Sequence, residues 1–378
     1  MRILIDTKNL ALYGGGIAHW FSPLLAAWIV HRPDARFLLV GPPFNTEFIP
    51  ASGNWEHVHL PWPEWLPRVL RHPWYDNVLF PRVVSRLRPD LVMSPYHDVR
   101  MPRDIPSVIG VHDLCIDELA SVYPRRIRAY YLALLRHNLC YADFVITVSE
   151  TSRSKLVKRY GIAQERVGVV YNTPPPDFES DVDAAAITGF CKRHGVAGRL
   201  LFYPGGSEYR KNVGRLIQAF AVLVKSDVNL TLLVTGNSDC RWRDALTNTS
   251  GAIRERVKFT GKLSDRELRI AYAAADAVVY PSLCEGFGRV CLEAMVSGTP
   301  LACSDLPVMR EVAGEYACYF DPYDSGAIAA AIEQAMAQGR RTFENDVRFR
   351  SATAKADFLA TMDAIMHKND NARQEESV

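Results

Sequence analysis

The sequence has 378 residues and a formal net charge of only +2, from 44 Lys and Arg against 42 Asp and Glu. This length predicts about two domains. The near-neutral balance disfavours a nucleic-acid-binding protein, whose binding face usually adds positive charge. No apolar run approaches the roughly 18 residues of a transmembrane helix, so any membrane contact is expected to be peripheral.

The cysteines and the N-terminus indicate the compartment. The eight cysteines form no CxxC pair and no spacing with histidine that would indicate a zinc site. The first residues read as a short buried strand and not as a signal peptide. We therefore expect a cytoplasmic protein that could work at the inner face of the membrane. Its basic first half, with 20 basic against 15 acidic residues up to Pro175, suits an acidic or membrane-surface partner.

The first half opens as a parallel βαβ unit. A strand at 2–6 ends in the glycine turn Gly14-Gly15-Gly16, a helix follows over 17–31, and a second strand covers 36–40. Glycines at this place let the backbone approach a ligand. NAD binding is disfavoured, because His19 stands where a dinucleotide fingerprint needs its third glycine.

Two segments of the first half raise the question of membrane or acceptor contact. Residues 53–77 read as irregular and contain four tryptophans, which stack on sugars or lie at membrane interfaces in other proteins. A helix at 124–141 has an apolar stripe surrounded by arginines, a pattern that also suits anionic lipid. Packing within the first domain is the favoured explanation for both segments.

Histidines follow two predicted strands of this half. His97-Asp98 comes after a strand at 90–94, and His112-Asp113 comes directly after a strand at 107–111. Parallel sheets bind ligands at the carboxyl ends of their strands, so His112 is the stronger candidate. The alternative for each pair is a capping Asp beside a structural His.

A proline-rich linker divides the chain. Prolines 174 to 176 follow the last strand of the first half, and we place the linker with its helix at 176–198. Asp181-Val182-Asp183 looks like a metal-binding DxD motif, but it precedes a helix in this polar linker, and we assign it no metal. We expect no cofactor and no essential metal.

The second half repeats the alternation and predicts a second doubly wound domain over 199–350. A helix is expected at 351–368, followed by a polar tail at 369–378 that we predict to be disordered. The strands are predicted near 200–204, 230–235, 257–260, 277–280, 300–303 and 317–320.

The most informative stretch is 276–315. Glu285 lies in a loop and Glu293 lies on the second turn of the helix that follows, with seven residues between the two carboxylates. The unpaired N–H groups of a helix start favour a phosphate. Carboxylates beside such a site suit the hydroxyls of a ribose or a hexose, which donate hydrogen bonds to them. The stretch therefore predicts a nucleotide-sugar pocket.

The segment EGFGRVCLEAMVSGTPL, from Glu285 onwards, resembles the E-x7-E signature of retaining glycosyltransferases of family 4. The usual family pattern is EGFGLPxLEAMAxGxPV, and here Arg289 and Val290 replace its Leu-Pro. The resemblance extends loosely over the first half and is strongest over 199–325. It implies the α/β GT-B fold, in which two Rossmann-like doubly wound parallel-sheet domains face a cleft.

The resemblance also implies roles for individual residues. In the family segment G-R-x-D-x-R-K-N, the Lys and the first Arg bind the donor phosphates. Arg210 and Lys211 match the downstream Arg-Lys pair, whereas Gly206 stands where the family has its first Arg, and Arg289 is the candidate substitute. Catalytic roles are thus expected for His112, Glu285, Lys211 and Arg210. Donor contacts are expected at Gly15, Gly16, Gly236, Gly261, Lys262, Leu263, Gly286, Phe287, Gly288, Arg289 and Glu293.

The activity implied is a retaining, metal-independent transfer of a hexose from a nucleotide sugar to a hydroxyl. GDP-mannose is the leading donor, because the motifs resemble those of bacterial mannosyltransferases of surface polysaccharides. Enzymes that use UDP-glucose or dTDP-rhamnose have similar motifs, so these donors are alternatives. The expected acceptor is a glycan or a lipid-linked oligosaccharide. A nucleotide-sugar epimerase of GT-B-like fold and a non-catalytic nucleotide-sugar binding protein are the alternatives.

Overall fold

The computed structural model describes residues 1–12, 15–51, 53–175, 178, 181–247, 249–344 and 346–376, and for 368–376 the backbone only. The chain divides into two compact units, one made of Met1–Thr173 with Val347–Val378 and one of Pro174–Asp346. Parts of three predicted segments lie outside the described residues: Gly14 of the glycine turn, residues 176, 177, 179 and 180 of the linker, and residues 377 and 378 of the tail.

The first unit is built on a seven-stranded, all-parallel sheet with the strand order β3-β2-β1-β4-β5-β6-β7. The strands are β1 Arg2–Asp6, β2 Arg36–Gly41, β3 Trp55–His59, β4 Leu91–Ser94, β5 Ser107–Val111, β6 Phe144–Thr147 and β7 Val167–Val169. Both faces of the central strands are buried, which explains their nearly continuous apolar sequences.

The helices of this unit lie between the strands, and the last helix of the chain joins them. They are α1 Lys8–Leu12, α2 Gly15–His31, α3 Arg68–Trp74, α4 Phe80–Leu87, α5 Cys115–Glu118, α6 Arg125–Tyr141 and α7 Glu150–Tyr160, with the final helix, α16, at Ser351–Glu376. A π-helical segment, Tyr75–Leu79, joins α3 to α4. The fully buried Phe358 of α16 packs edge-on against Phe21 and Trp28 of α2.

The second unit has a six-stranded, all-parallel sheet with the order β10-β9-β8-β11-β12-β13. Its strands are β8 Leu200–Tyr203, β9 Thr231–Val234, β10 Val257–Phe259, β11 Ala277–Tyr280, β12 Leu301–Ser304 and β13 Ala317–Phe320. Its helices are α8 Ala184–Arg193, α9 Val213–Ser226, α10 Cys240–Thr247, α11 Gly251–Glu255, α12 Asp265–Ala274, α13 Arg289–Val296, α14 Pro307–Ala313 and α15 Ser325–Gln338.

The strand order reverses once in each sheet. In the first unit β1 pairs with both β2 and β4, and in the second β8 pairs with both β9 and β11. Chain connections leave such a point in opposite directions and open a crevice at the carboxyl ends of the strands. Each unit therefore has one topological position that favours ligand binding.

Two predictions about local structure are wrong. Residues 53–77 are not irregular throughout, because they contain β3 and α3. The sequence pattern of these two elements is weak. Strand β3 is only half-buried at the sheet edge, and α3 contains Pro73 and has no buried residue. The predicted disordered tail is helical as far as Glu376. Residues 369–376 hold no Gly or Pro and several strong helix formers, which allows α16 to continue.

Candidate active site

The reversal point of the second unit brings two loops together. One loop follows β8 and includes residues 204–212, and the other follows β11 and includes 281–288. The backbone N–H of Leu283 donates to the carbonyl oxygen of Arg210 at 2.7 Å, and the hydroxyl oxygen of Ser282 lies 3.2 Å from the same oxygen. Residues that are more than 70 positions apart in sequence thus become neighbours.

Glu285 is the centre of this site. Its Oε1 accepts hydrogen bonds from Lys211 Nζ, the Tyr280 hydroxyl and the Ser282 hydroxyl, each at 2.7 Å, and from the Arg210 guanidinium. Lys211 Nζ also donates to the Tyr280 hydroxyl at 2.5 Å. Among the described residues no hydrogen bond reaches Oε2 of Glu285. That oxygen can accept a hydrogen bond from a ligand hydroxyl.

The surroundings of Glu285 keep it ionised. Burial alone would raise the pKa of this carboxyl, but the attraction of Lys211 and Arg210 and the hydrogen bonds to Oε1 outweigh burial. Together they lower the pKa of Glu285 from 4.5 to about 2. Two cations beside one carboxylate leave an excess positive charge at the site, which suits the diphosphate of a nucleotide.

Glu293 lies on the second turn of α13, as the sequence predicts, and it is buried. Its Oε2 accepts a hydrogen bond from the Tyr272 hydroxyl at 2.7 Å, and its Oε1 accepts one from the Arg289 guanidinium at 2.9 Å. Each carboxylate oxygen has a second lone pair, so both can still accept from a ribose. Tyr272 and Arg289 hold the carboxylate in one orientation.

Arg289 has a carboxylate partner within its own helix. The sequence offers Arg289 as a replacement for the family Arg that is missing at Gly206. The ion pair with Glu293 neutralises much of the positive charge of Arg289. A Cβ at Gly206 would lie 3.0 Å from a carboxylate oxygen of Glu208, so this side of the loop is acidic. A phosphate contact by Arg289 stays a prediction.

The start of α13 is formed by Gly286, Phe287 and Gly288. Phe287 is buried, while Gly288 has a φ of +88° and is the N-cap of the helix, without a side-chain hydrogen bond to the helix start. The N-cap residue therefore provides no side-chain cap for the first backbone N–H groups of α13, which favours anion binding at this helix start.

Replacing Gly288 by Ala is expected to lower the free energy of unfolding by about 2 kcal/mol, because a non-Gly residue is strained at positive φ. The added Cβ would also lie 2.7 Å from the Met309 sulfur. Urea unfolding measures the change. Gly214→Ala is the matched control, because its Cβ would meet no atom within 4 Å in helix α9. Equal stability of the two variants would contradict the conformational requirement at Gly288.

Gly236 and Gly261 lie after β9 and β10 and pair with each other. They form an antiparallel bridge with N–H to O distances of 2.9 and 3.1 Å, and both have positive φ. Lys262 is exposed and Leu263 is half-buried beside this bridge. The bridge fixes two backbone segments at the carboxyl edge of the sheet, where the resemblance predicts nucleotide contacts.

His112 directly follows β5 of the first unit. Its Nε2 lies 2.8 Å from the carbonyl oxygen of Pro95, which can only accept, so Nε2 carries the proton. Burial lowers the pKa of His112 to about 4, and its ring packs edge-on against Trp20. The imidazole is therefore neutral at pH 7, and Nδ1, for which no described residue provides a partner, can accept a hydrogen bond from a hydroxyl.

The two glycines that the sequence marks in this unit begin helix α2. Gly15 has a φ of +65°, and both Gly15 and Gly16 are exposed. A Cβ on Gly15 would meet no atom within 4 Å, so the backbone there is open to a ligand.

Sequence reasoning missed a buried ionic cluster in the first unit. Lys8 Nζ lies 2.5 Å from Asp76 Oδ1 and 2.9 Å from Asp98 Oδ2, and Asp6 is buried beside them. Burial raises the pKa of Asp6 to about 6 and that of Asp76 to about 7. Of this cluster, the sequence singles out only Asp98, because the pair His97-Asp98 follows β4.

Two family models match the chain. The model described as Glycosyl transferases group 1 matches residues 193–356, and the model described as Glycosyltransferase Family 4 matches residues 23–177. An O-antigen chain mannosyltransferase B of Escherichia coli is 30% identical over 61% of this chain. The O-antigen chain mannosyltransferase RfbU of Salmonella typhimurium is 30% identical over 64% of it. The chain spans 61% and 64% of the length of these two relatives.

Solved structures share the fold. WaaG, a glycosyltransferase involved in lipopolysaccharide biosynthesis, superposes with a TM-score of 0.70 at 19% identity, over 96% of this chain and 95% of its own. The Anabaena protein HepE in complex with UDP and glucose superposes with a TM-score of 0.63 at 20% identity, over 100% and 99%. The expected GT-B fold, with two parallel-sheet α/β domains, is confirmed. The family models cover most of both units, and the chain has a Glycosyltransferase Family 4 domain over 23–177 and a Glycosyl transferases group 1 domain over 193–356.

Proposed function

We propose that this protein transfers a hexose from a nucleotide sugar to a hydroxyl of a glycan or lipid-linked oligosaccharide in the synthesis of cell-surface polysaccharide. Mannose from GDP-mannose is the leading donor, which the similarity to two O-antigen mannosyltransferases supports. The observation that carries the proposal is the group of Arg210, Lys211 and Glu285 beside the start of α13, which also bears Glu293.

Each charged residue has a proposed task in the transfer. Arg210 and Lys211 stabilise the negative charge that develops on the leaving diphosphate. Oε2 of Glu285 accepts hydrogen bonds from the hexose, and Glu293 accepts them from the ribose. For His112 we propose that neutral Nδ1 accepts from a sugar hydroxyl, on the basis of the family resemblance and the tautomer. No side chain is assigned as a dedicated base, since the donor phosphate itself can take the acceptor proton.

Retention of the anomeric configuration and independence from a metal are further parts of the proposal and rest on the resemblance. The cytoplasmic location is also part of it and rests on the cysteine pattern and the N-terminal sequence. None of the described helices has the length and apolar character needed to cross a bilayer. We propose a peripheral membrane contact through the first unit, which would bring the enzyme to a lipid-linked acceptor.

A thermal-shift panel of GDP, UDP and dTDP tests the donor. At about 100 times its Kd, the true nucleotide adds about 2.7 kcal/mol of stability, and the melting temperature rises by several degrees. We expect GDP to have the largest effect and Glu293→Ala to remove it. Glu255→Ala, at an exposed position of α11, is the control that should respond like the parent protein.

If none of the three nucleotides stabilises the parent protein, the proposed donor site is wrong. If one of them does stabilise it, incubation with the nucleotide sugar alone distinguishes a transferase from the two alternatives. Consumption of the nucleotide sugar without an acceptor would indicate an epimerase, and binding without any product would indicate a non-catalytic protein.

A further inference from the structure

Helix α3 and the loop before it expose apolar side chains to an unusual degree. The side chains of Val69 and Trp65 are 81% and 73% exposed, the highest values among the large hydrophobic residues that the structure describes, and Leu70 is 49% exposed. Helix α3 itself has no buried residue. Single exposed apolar residues are normal, but three within six positions form a patch of the kind that marks an interaction site.

The residues around this patch are mainly basic. Segments 65–75 and 124–141 together contain six arginines, while the first segment is flanked by the exposed Glu64 and the buried Asp76. In the second segment, Arg125 and Arg126 are exposed at the start of α6, and the neighbouring Ile127 is 48% exposed. Arg128 differs from them, because it lies 3.4 Å from Asp117. The patch is therefore apolar and basic at the same time.

Side-chain contacts connect the two segments. The Trp65 ring packs edge-on against Trp74, the last residue of α3. The Asn77 amide, just after it, donates to the carbonyl oxygen of Pro73 at 3.0 Å and to the Tyr130 hydroxyl of α6 at 3.0 Å. Ile127 lies three residues before Tyr130 and thus on the same side of α6. We call the surface made by Trp65, Arg68, Val69, Leu70, Arg126 and Ile127 the basic apolar face.

The chemistry of the basic apolar face matches the surface of an anionic bilayer. Tryptophan prefers the headgroup level, aliphatic side chains enter the acyl boundary, and arginines are attracted to anionic headgroups. A second copy of the chain fits poorly, since a symmetric dimer would place the same arginines against one another. We infer that this face docks the protein on anionic lipid. The inference rests on the proposed peripheral contact and names its surface and its lipid class.

Sedimentation with vesicles tests the inference on the full chain. One vesicle is pure phosphatidylcholine, and the other contains about 30% phosphatidylglycerol, a fraction that gives a substantial negative surface potential. We expect the parent protein to bind the anionic vesicles and to leave the neutral ones free. Trp65→Ser combined with Val69→Ser and Leu70→Ser should weaken binding about tenfold or more, and so should Arg68→Gln with Arg126→Gln.

The control is Val222→Ser with Val228→Ser, which removes two exposed apolar side chains of the second unit and should bind like the parent. Lack of binding by the parent, or parent-like binding by both face variants, would overturn the inference. Self-association that the triple serine variant abolishes would overturn it in favour of a dimer. If the protein binds vesicles but no nucleotide stabilises it, only the proposed donor site is refuted. Failure of the donor site and failure of the lipid-docking face are therefore distinguishable.

Discussion

Lys211→Met is expected to lower the rate of sugar transfer by two to three orders of magnitude, roughly the cost of removing one preorganised charge from a transition state. Lys211 is buried, and its Nζ is fixed by Glu285 and the Tyr280 hydroxyl. A cation held in this way needs no reorganisation when charge develops on the leaving diphosphate. Methionine keeps the bulk of the aliphatic chain and removes only the charge and its hydrogen bonds.

The measurement is the release of nucleoside diphosphate under saturating donor, together with KM for the donor. We expect the loss mainly in kcat, since the interaction is strongest in the transition state. Lys225→Met, at an exposed position of the neighbouring helix α9, is the matched control. A Lys211→Met enzyme that transfers sugar at the parent rate would remove Lys211 from the mechanism.

Glu285→Gln is expected to have two effects. Transfer should fall by about two orders of magnitude or more, because a neutral amide holds the hexose and the two cations less well than a carboxylate. Stability should fall as well, by about 3 kcal/mol at neutral pH, since the folded protein lowers the pKa of this carboxyl from 4.5 to about 2.

The pH dependence of the free energy of unfolding distinguishes the effect of the charge of Glu285 from the effect of its size and shape. The contribution of Glu285 is complete above its unfolded pKa of 4.5 and is lost as the pH falls towards 2. Urea unfolding of the parent and of Glu285→Gln should therefore show a difference that is constant near neutrality and shrinks in acid. A difference that does not change between pH 7 and pH 3 would show that the ion pairs with Lys211 and Arg210 do not stabilise the fold.

The fold and the centre of the site could both be predicted from the sequence, but from different features of it. Strands buried on both faces produce continuous apolar runs, so both parallel sheets were visible in the pattern. The positions of Glu285 and Glu293 follow from spacing along a single loop and helix. Helix α3 and strand β3 were missed because neither buries one clear face, and burial is what creates a periodic pattern.

The partners of the site residues could not be predicted in the same way. Tyr280 and Tyr272 read as apolar members of a strand and a helix, and only the fold directs their hydroxyls to Glu285 and Glu293. The pairing of Lys211 with Glu285 joins residues 74 positions apart. The buried Lys8 in the first unit is the extreme case, because a lysine is almost never fully buried and its sequence neighbours gave no sign of Asp76.

A cavity of the second unit provides a rival location for a phosphorylated ligand. It has a volume of about 450 Å³ and is lined by Asn212, Arg215, Arg241 and residues near them. It borders the loop that bears Lys211 but does not include Lys211, Glu285 or Glu293. Its two arginines could attract a phosphate, so nucleotide binding alone does not distinguish the two locations.

A crystal structure of the protein with bound GDP tests the central claim most directly. The proposed donor site predicts diphosphate oxygens within hydrogen-bond distance of Lys211 Nζ and the Arg210 guanidinium, with the ribose hydroxyls on the Glu293 carboxylate. A diphosphate in the cavity beside Arg215 and Arg241, with Glu293 remote from the ribose, would contradict the claim.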